Sequence, residues 1–175
     1  MGKKVIIADS SSLILLTKVN LLSSFLNTFE VIVPPTVYQE MTFKKQPDGK
    51  MLEMGFKKGL YKIVPLPPEP PQISGLKGGE KEVLILFLSR GGTILTDDGR
   101  LASLCRREKI PYLNALTAAI SLWQEHQIDY ETLYKSLIKL IKLGRYSYWV
   151  IAYVEKLIGQ SLKHPSHPQQ PLLNR

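Results

Sequence analysis

Short apolar runs alternate along the chain with longer stretches in which apolar residues recur every three or four positions. The first run lies within Lys4–Ala8 and reads as a buried strand. Asp9-Ser10-Ser11-Ser12 follows, with the composition of a helix cap, so a helix is expected from near Leu13. It carries Leu13, Ile14, Leu16 and Leu21-Leu22, with a break near Asn20. Glu30–Val33 reads as a second strand, stopped by Pro34-Pro35. Thr36 to Gln39 has capping-box form, which sets Glu40 in the first turn of the next helix. Asp48 can cap a short helix through Phe56, and Tyr61–Leu66 reads as a strand before Pro67–Pro71.

Gly78-Gly79 closes that loop. Glu80–Ser89 is almost wholly apolar after its first turn, as a deeply buried helix is, and Gly91-Gly92 breaks it. Thr93–Thr96 is a further buried strand that delivers Asp97-Asp98 at its carboxyl end. The spacing then predicts a helix over Arg100–Glu108, a short strand at Pro111–Leu113 and a helix over Ala115–Gln124. Two more helices follow: Tyr130–Leu143, capped by Asp129 and closed at Gly144, and Tyr148–Ile158, capped by Ser147. Strands alternating with helices predict an α/β fold with three layers, α/β/α, around a mostly parallel sheet. Residues 1–159 are expected to form one domain, ending in two helices over about 129–159, with 160–175 a disordered tail rich in Pro, Gln and His. No internal repeat is visible.

At 175 residues the chain can bury a core without staples. Cys105 is the only cysteine, which excludes an intrachain disulfide framework and a thiolate zinc cluster and suits a reducing cytoplasm; Cys105 itself reads as a small buried apolar residue. The apolar runs are too short to cross a bilayer, so no membrane partner is expected, and Val5–Ala8 fits a buried strand better than a secretory leader. The net charge of +8 favours a polyanionic partner, nucleic acid first.

Candidate chemistry rests on acids. Asp9, Glu40, Glu80 and the pair Asp97-Asp98 recur where a strand or loop hands over to a helix. Taken singly, each has a structural reading: a helix-dipole partner for Glu40 and Glu80, a cap or turn residue for Asp9 and for Asp97-Asp98. Taken together they fall where α/β sheets build sites, beyond the carboxyl ends of strands. Carboxylates crowd at little cost only around a cation. An oxygen-only set, remote from His126, His164 and His167, suits Mg²⁺ or Mn²⁺. Such ions make phosphodiesters attackable by neutralising charge, lowering the pKa of water and stabilising the leaving oxygen. Glu80 and Glu82 point to nearly opposite sides of a helix, and spacing alone does not choose between them.

The ordered segments VIIADSSSLI, VIVPPTVYQEM, GGEKEVLILFLSRGGTILTDD and RLASLCRREKIPYLNALTAAISL resemble the PIN domain family of metal-dependent ribonucleases. They are similar in particular to a prokaryotic group with a Gly-Glu and an Asp-Asp motif. The resemblance covers roughly residues 4–124 and, more loosely, the last two helices. It implies that Asp9, Glu40, Glu80 and Asp98, with Asp97 as the other candidate, are metal-binding acids, and it favours Glu80 over Glu82. Ser11 matches a hydroxyl residue that orients Asp9 or a bound water. Two departures stand out: many members carry Asp at the position of Glu80, and Gly or Thr near Asn114. The resemblance further implies a metal-dependent endoribonuclease, with Asp9 and Asp98 on the principal ion and Glu40 and Glu80 completing its shell or holding a second. It implies, too, a toxin paired with a small antitoxin, acting as a homodimer. The alternative is a PIN-like module that binds RNA or protein without cutting.

Arg100, Lys44 and Lys45, with Lys57, Lys58, Arg106 and Arg107, are candidates to track an RNA backbone, against the simpler reading of a solvated face. Tyr146, Tyr148, Trp149 and Tyr153 form an aromatic cluster better suited to core or subunit packing than to base stacking. A receiver-type domain is disfavoured because the acid pair comes late and lacks its lysine. Dinucleotide binding is disfavoured because no Gly-x-Gly-x-x-Gly follows a strand.

Overall fold

Each apolar run forms a strand, and the strands all run in parallel. The structure, a computed structural model, describes residues 2–43 and 47–162. Strands β1 (Val5–Ala8), β2 (Glu30–Val33), β3 (Tyr61–Ile63), β4 (Thr93–Leu95) and β5 (Tyr112–Leu113) make one sheet in the order β3-β2-β1-β4-β5. Every neighbouring pair is parallel. The helices are α1 (Ser10–Lys18), α2 (Leu22–Thr28), α3 (Pro35–Phe43), α4 (Pro47–Lys57), α5 (Gly78–Arg90), α6 (Gly99–Arg107), α7 (Ala115–Gln124), α8 (Tyr130–Leu143) and α9 (Tyr148–Leu162).

Parallel strands need right-handed crossovers. The chain steps from β1 outward to β2 and β3, which puts α1–α4 on one face. It then returns across the sheet to β4 and on to β5, which puts α5 and α6 on the other. Helix α7 packs on α1 and α2, and α8 and α9 pack outside it. The result is the expected three-layer α/β/α fold. The strands read as continuous apolar runs because both faces are covered: Ile6, Ile7, Val31, Val33, Ile94 and Leu95 are all buried. The direction of winding reverses between β1 and β4. There the two adjacent crossovers part and leave a crevice at the strands' carboxyl ends.

Several boundaries differ from the sequence expectation, each for a local reason. Helix α1 starts at Ser10 rather than near Leu13, because the three serine hydroxyls bond to side-chain carboxylates and leave the backbone free to be helical. Strand β3 ends at Ile63; Val64 N–H still reaches Val33 O at 2.9 Å, but Pro65 has no donor to extend the ladder. Helix α3 begins at Pro35, so Glu40 lies in its second turn, and no capping box forms at Thr36. Gly78 and Gly79 open α5 rather than close a loop. Asp48 stands inside α4, one residue past its start. Helix α9 runs to Leu162, past the expected end at Ile158, and the rest of the expected tail lies outside the described residues. Among the described residues no helix is long and apolar enough to cross a membrane.

Cys105 on α6 is fully buried, and burial pushes its thiol up to about 11. Thiolate is the reactive form, so the native protein should resist iodoacetamide at pH 8 and label at the rate at which α6 opens. Mass spectrometry of native and urea-unfolded samples checks this; fast native labelling would contradict the packing of α6.

Candidate active site

Asp9 leaves the end of β1 into the crevice beside β4, where its N–H extends the ladder to Leu95 O at 2.8 Å. It occupies the N-cap position of α1, yet its carboxylate makes no side-chain cap bond. Hydroxyls hold it instead. Ser11 Oγ donates to Asp9 Oδ2 at 2.6 Å and Thr96 Oγ1 donates to the same atom at 3.2 Å. Asp9 is only 3% exposed. Burial raises its pKa, the Ser11, Ser10 and Thr96 bonds oppose the rise, and the charge of Glu40 adds to it.

Glu40 reaches the same hollow from α3. Ser10 Oγ donates to its Oε2 at 3.1 Å, and Gly79 N–H at the start of α5 donates to its Oε1 at 3.2 Å. The close approach explains the glycine. A Cβ at Gly79 would lie 2.7 Å from Val37 Cγ2 and 3.0 Å from Glu40 Oε2. Glu80, one residue on, is half-buried. Burial raises its pKa first, then the charges of Asp98 and Asp9 and a hydrogen bond shared with Asp98; Arg100 pulls it back. Two carboxylates within hydrogen-bond reach need a proton or a cation between them. Glu82 turns elsewhere: its Oε1 accepts from Thr36 Oγ1 at 2.7 Å and its Oε2 from Thr36 N–H at 3.1 Å, capping α3.

Adjacent in sequence, Asp97 and Asp98 have separate surroundings. Asp98 caps α6, its Oδ1 accepting from Arg100 N–H at 2.8 Å and Leu101 N–H at 2.9 Å. Both oxygens of Asp97 are engaged by the protein: Oδ1 by Tyr146 Oη at 2.6 Å, Oδ2 by Ser12 Oγ at 2.5 Å and Ala115 N–H at 2.8 Å. Its own N–H donates to Ser11 Oγ at 3.1 Å. Ser11 thus ties Asp9 to the β4 end.

Asp9, Glu40, Glu80 and Asp98 therefore share one hollow, and Asp97 braces its wall. Among the described residues the ion pairs lie elsewhere, and none joins these acids. Arg100 acts on Glu80 through its charge only. Equally, no three acidic, histidine or cysteine groups among the described residues already stand in ligating geometry. The donor chemistry fits a hard dication: carboxylate oxygens, one group nearly buried, with no base among the described residues paired to them. Of the proposed backbone-tracking residues, Lys57 pairs with Glu53 at 2.7 Å and Arg107 with Glu108 at 2.8 Å. Arg106 bonds Tyr112 Oη and Ser103 Oγ, both at 3.1 Å. Arg100 and Lys58 are exposed, and Lys44 and Lys45 lie outside the described residues.

Sequence reasoning passed over Ser10, Ser12, Thr96 and Tyr146 as supports. Three of these flank the recognised acids, which was the available signal; Tyr146 lies 49 residues from Asp97 and carried none. The aromatic cluster in fact divides. Tyr146 packs inward against the core, while Tyr148, Trp149 and Tyr153 are 75%, 79% and 55% exposed. Gly144 makes room for the inward ring. It ends α8 at an ordinary φ of −90°, and a Cβ there would collide with Tyr146.

A family model described as PIN domain matches residues 5–158. No curated protein matches the chain.

Tyr146 is a donor held protonated, its pKa raised by burial and then by the Asp97 charge. Tyr146→Phe keeps the ring and removes the bond to a carboxylate, so stability should fall by about 1.5–3 kcal/mol. Urea denaturation reads the loss; an unchanged midpoint would mean that the α8–α9 connection does not support the acid wall.

Proposed function

Because the chain belongs to the PIN domain family, a family of nucleases that typically work with divalent metals, we propose that it is a metal-dependent endoribonuclease hydrolysing RNA phosphodiesters. The observation that carries this reading is the meeting of Asp9, Glu40, Glu80 and Asp98 at the β1/β4 reversal, with no lysine or arginine of the described residues in an ion pair with them. Oxygen-only donors suit Mg²⁺ or Mn²⁺ over softer ions. Asp9 and Asp98 would hold the principal ion, and Glu40 and Glu80 would complete its shell or hold a second. Asp97, with both oxygens engaged, would stay structural. When bound, an ion of this class neutralises phosphate charge, lowers the pKa of water and stabilises the departing 3′-oxygen.

The chain's own part in this scheme is positional. Ser11 and Thr96 fix the orientation of the Asp9 carboxylate through its Oδ2. Gly79 N–H and Ser10 aim Glu40. Two backbone N–H groups of α6 fix one oxygen of Asp98. Arg100, exposed beside Glu80, would meet the substrate phosphate. The family resemblance extends the proposal to a cytoplasmic toxin, homodimeric and restrained by a small antitoxin.

Asp9→Asn should abolish Mn²⁺-dependent cleavage of single-stranded RNA while leaving the circular dichroism spectrum unchanged. Full cleavage by the purified variant would end the scheme. RNA binding without turnover at saturating Mn²⁺ would instead mark a non-cleaving PIN module. Affinity of the non-cleaving variant should fall steeply from 50 to 200 mM salt.

Thermal unfolding gives a second readout. A raised carboxyl pKa means that the folded state holds the proton more tightly than the unfolded chain, so stability is lost as pH rises. At pH 7 in EDTA, Asp9→Asn should therefore melt no lower than wild type. Saturating Mn²⁺ should stabilise wild type by about 2.7 kcal/mol at a hundred times Kd and leave the variant nearly unmoved. An equal rise in both proteins would place the ion elsewhere.

A further inference from the structure

A groove of about 540 Å³ runs between the β5 edge and α9, lined by Arg106, Tyr112, Asn114, Trp149, Val150 and Tyr153, among others. It lies next to the acids but is not built from them. Asn114 caps α7, and the next residue, Ala115, donates its N–H to Asp97. The far wall is α9, whose start is tied to the same carboxylate by Tyr146 Oη. One carboxylate thus joins the groove to the acid hollow from both sides.

The wall residues are unusual for a protein surface. Trp149 and Tyr153 expose most of their rings, and the Tyr148 ring braces Trp149 edge-on with centroids 5.7 Å apart. Arg106, anchored by Tyr112 and Ser103, adds a guanidinium to the opposite wall. Exposed aromatics across a groove from an arginine suit the flat π-face and the phosphate of an unstacked nucleotide. The volume falls within the roughly 300–1,000 Å³ of small-ligand pockets. Aromatic surfaces also serve protein contacts. The concave shape, the arginine, the Asp97 link to the acids and the net charge of +8 favour a polyanion.

We propose that this groove binds one unstacked base of a single-stranded nucleic acid, between Trp149 and Tyr153 on one side and Arg106 and Asn114 on the other, beside the phosphate presented to the acids. The inference rests on the nuclease reading for its substrate and adds the subsite that grips the chain. Duplex is excluded because its bases offer no free face to stack on. The Asp97 bracket sets the register between the gripped base and the acid hollow.

The test uses the full chain carrying Asp9→Asn, with fluorescein-labelled single-stranded RNA octamers of U and of A as probes. Binding should quench tryptophan emission through exposed Trp149, whereas Trp123 is buried. Trp149→Ala and Tyr153→Ala should each raise Kd about fivefold or more, Trp149→Phe should recover most of the affinity, and the matching duplex should leave the emission unchanged. Substitution of such exposed rings spares the core, and circular dichroism verifies the fold. Kd within twofold of the parent in both alanine variants would overturn the proposal, as would the absence of octamer binding. Loss of a dimer in Trp149→Ala with octamer affinity unchanged would overturn it too, and would assign the groove to a second copy. The two readings separate cleanly: Asp9-dependent cleavage with Trp149-independent binding removes only the groove, and Trp149-dependent binding by a wild-type protein that never cuts removes only the nuclease.

Discussion

The structure depends on an arrangement in which, among the described residues, carboxylates are held by backbone N–H groups and hydroxyls and not by ion pairs with basic side chains. Asp98 accepts from Arg100 and Leu101 N–H in the first turn of α6, Asp97 from Ala115 N–H at the start of α7 and Glu40 from Gly79 N–H in the first turn of α5. Asp9 rests on the hydroxyls of Ser11 and Thr96. A helix N-terminus carries about half a positive charge and falls off within a turn. It orients an anion without cancelling it. A lysine or arginine would cancel it and close the hollow to a cation. Burial, first, and then the charges of neighbouring acids raise the pKa values of Asp9 and Glu80.

The parallel sheet is what makes such an arrangement possible. In the order β3-β2-β1-β4-β5 the winding reverses between β1 and β4, and helices begin on both faces around that point. Helix N-termini and strand carboxyl ends converge there by topology. Glu82 shows the same logic turned to structure: two residues from Glu80, it points away and caps α3. The last two helices share in the arrangement. Tyr146, in the connection between α8 and α9, reaches Asp97 across 49 residues, and Gly144 leaves the space for its ring.

Charge is divided between surface and site. The chain carries +8 overall, yet acids gather at the carboxyl end of its sheet. On the proposed reading a positive exterior would draw a polyanion in, and the acids would repel its phosphate unless a dication lay between them. The exposed aromatics of α9 would add a contact that salt does not screen, beside a wall that carries an arginine.

The alternation of apolar runs and amphipathic stretches sufficed for the strands and the helices, because a buried parallel strand and a core-facing helix leave unlike hydrophobic periods. Strand β2 and helices α7 and α8 lie where periodicity puts them. The acids were visible too, since each stands at a junction that the same pattern marks. Periodicity was silent on how the acids divide. Asp97 and Asp98 are indistinguishable as neighbours, and only the fold brings Ser12, Ala115 and Tyr146 onto one while α6 starts beneath the other. Thr36 has the letters of a capping box, but Glu82 from another helix took its N–H. Local pattern reports which face of an element is buried; which partner meets that face depends on contacts between segments tens of residues apart, and those exist only once the sheet has closed.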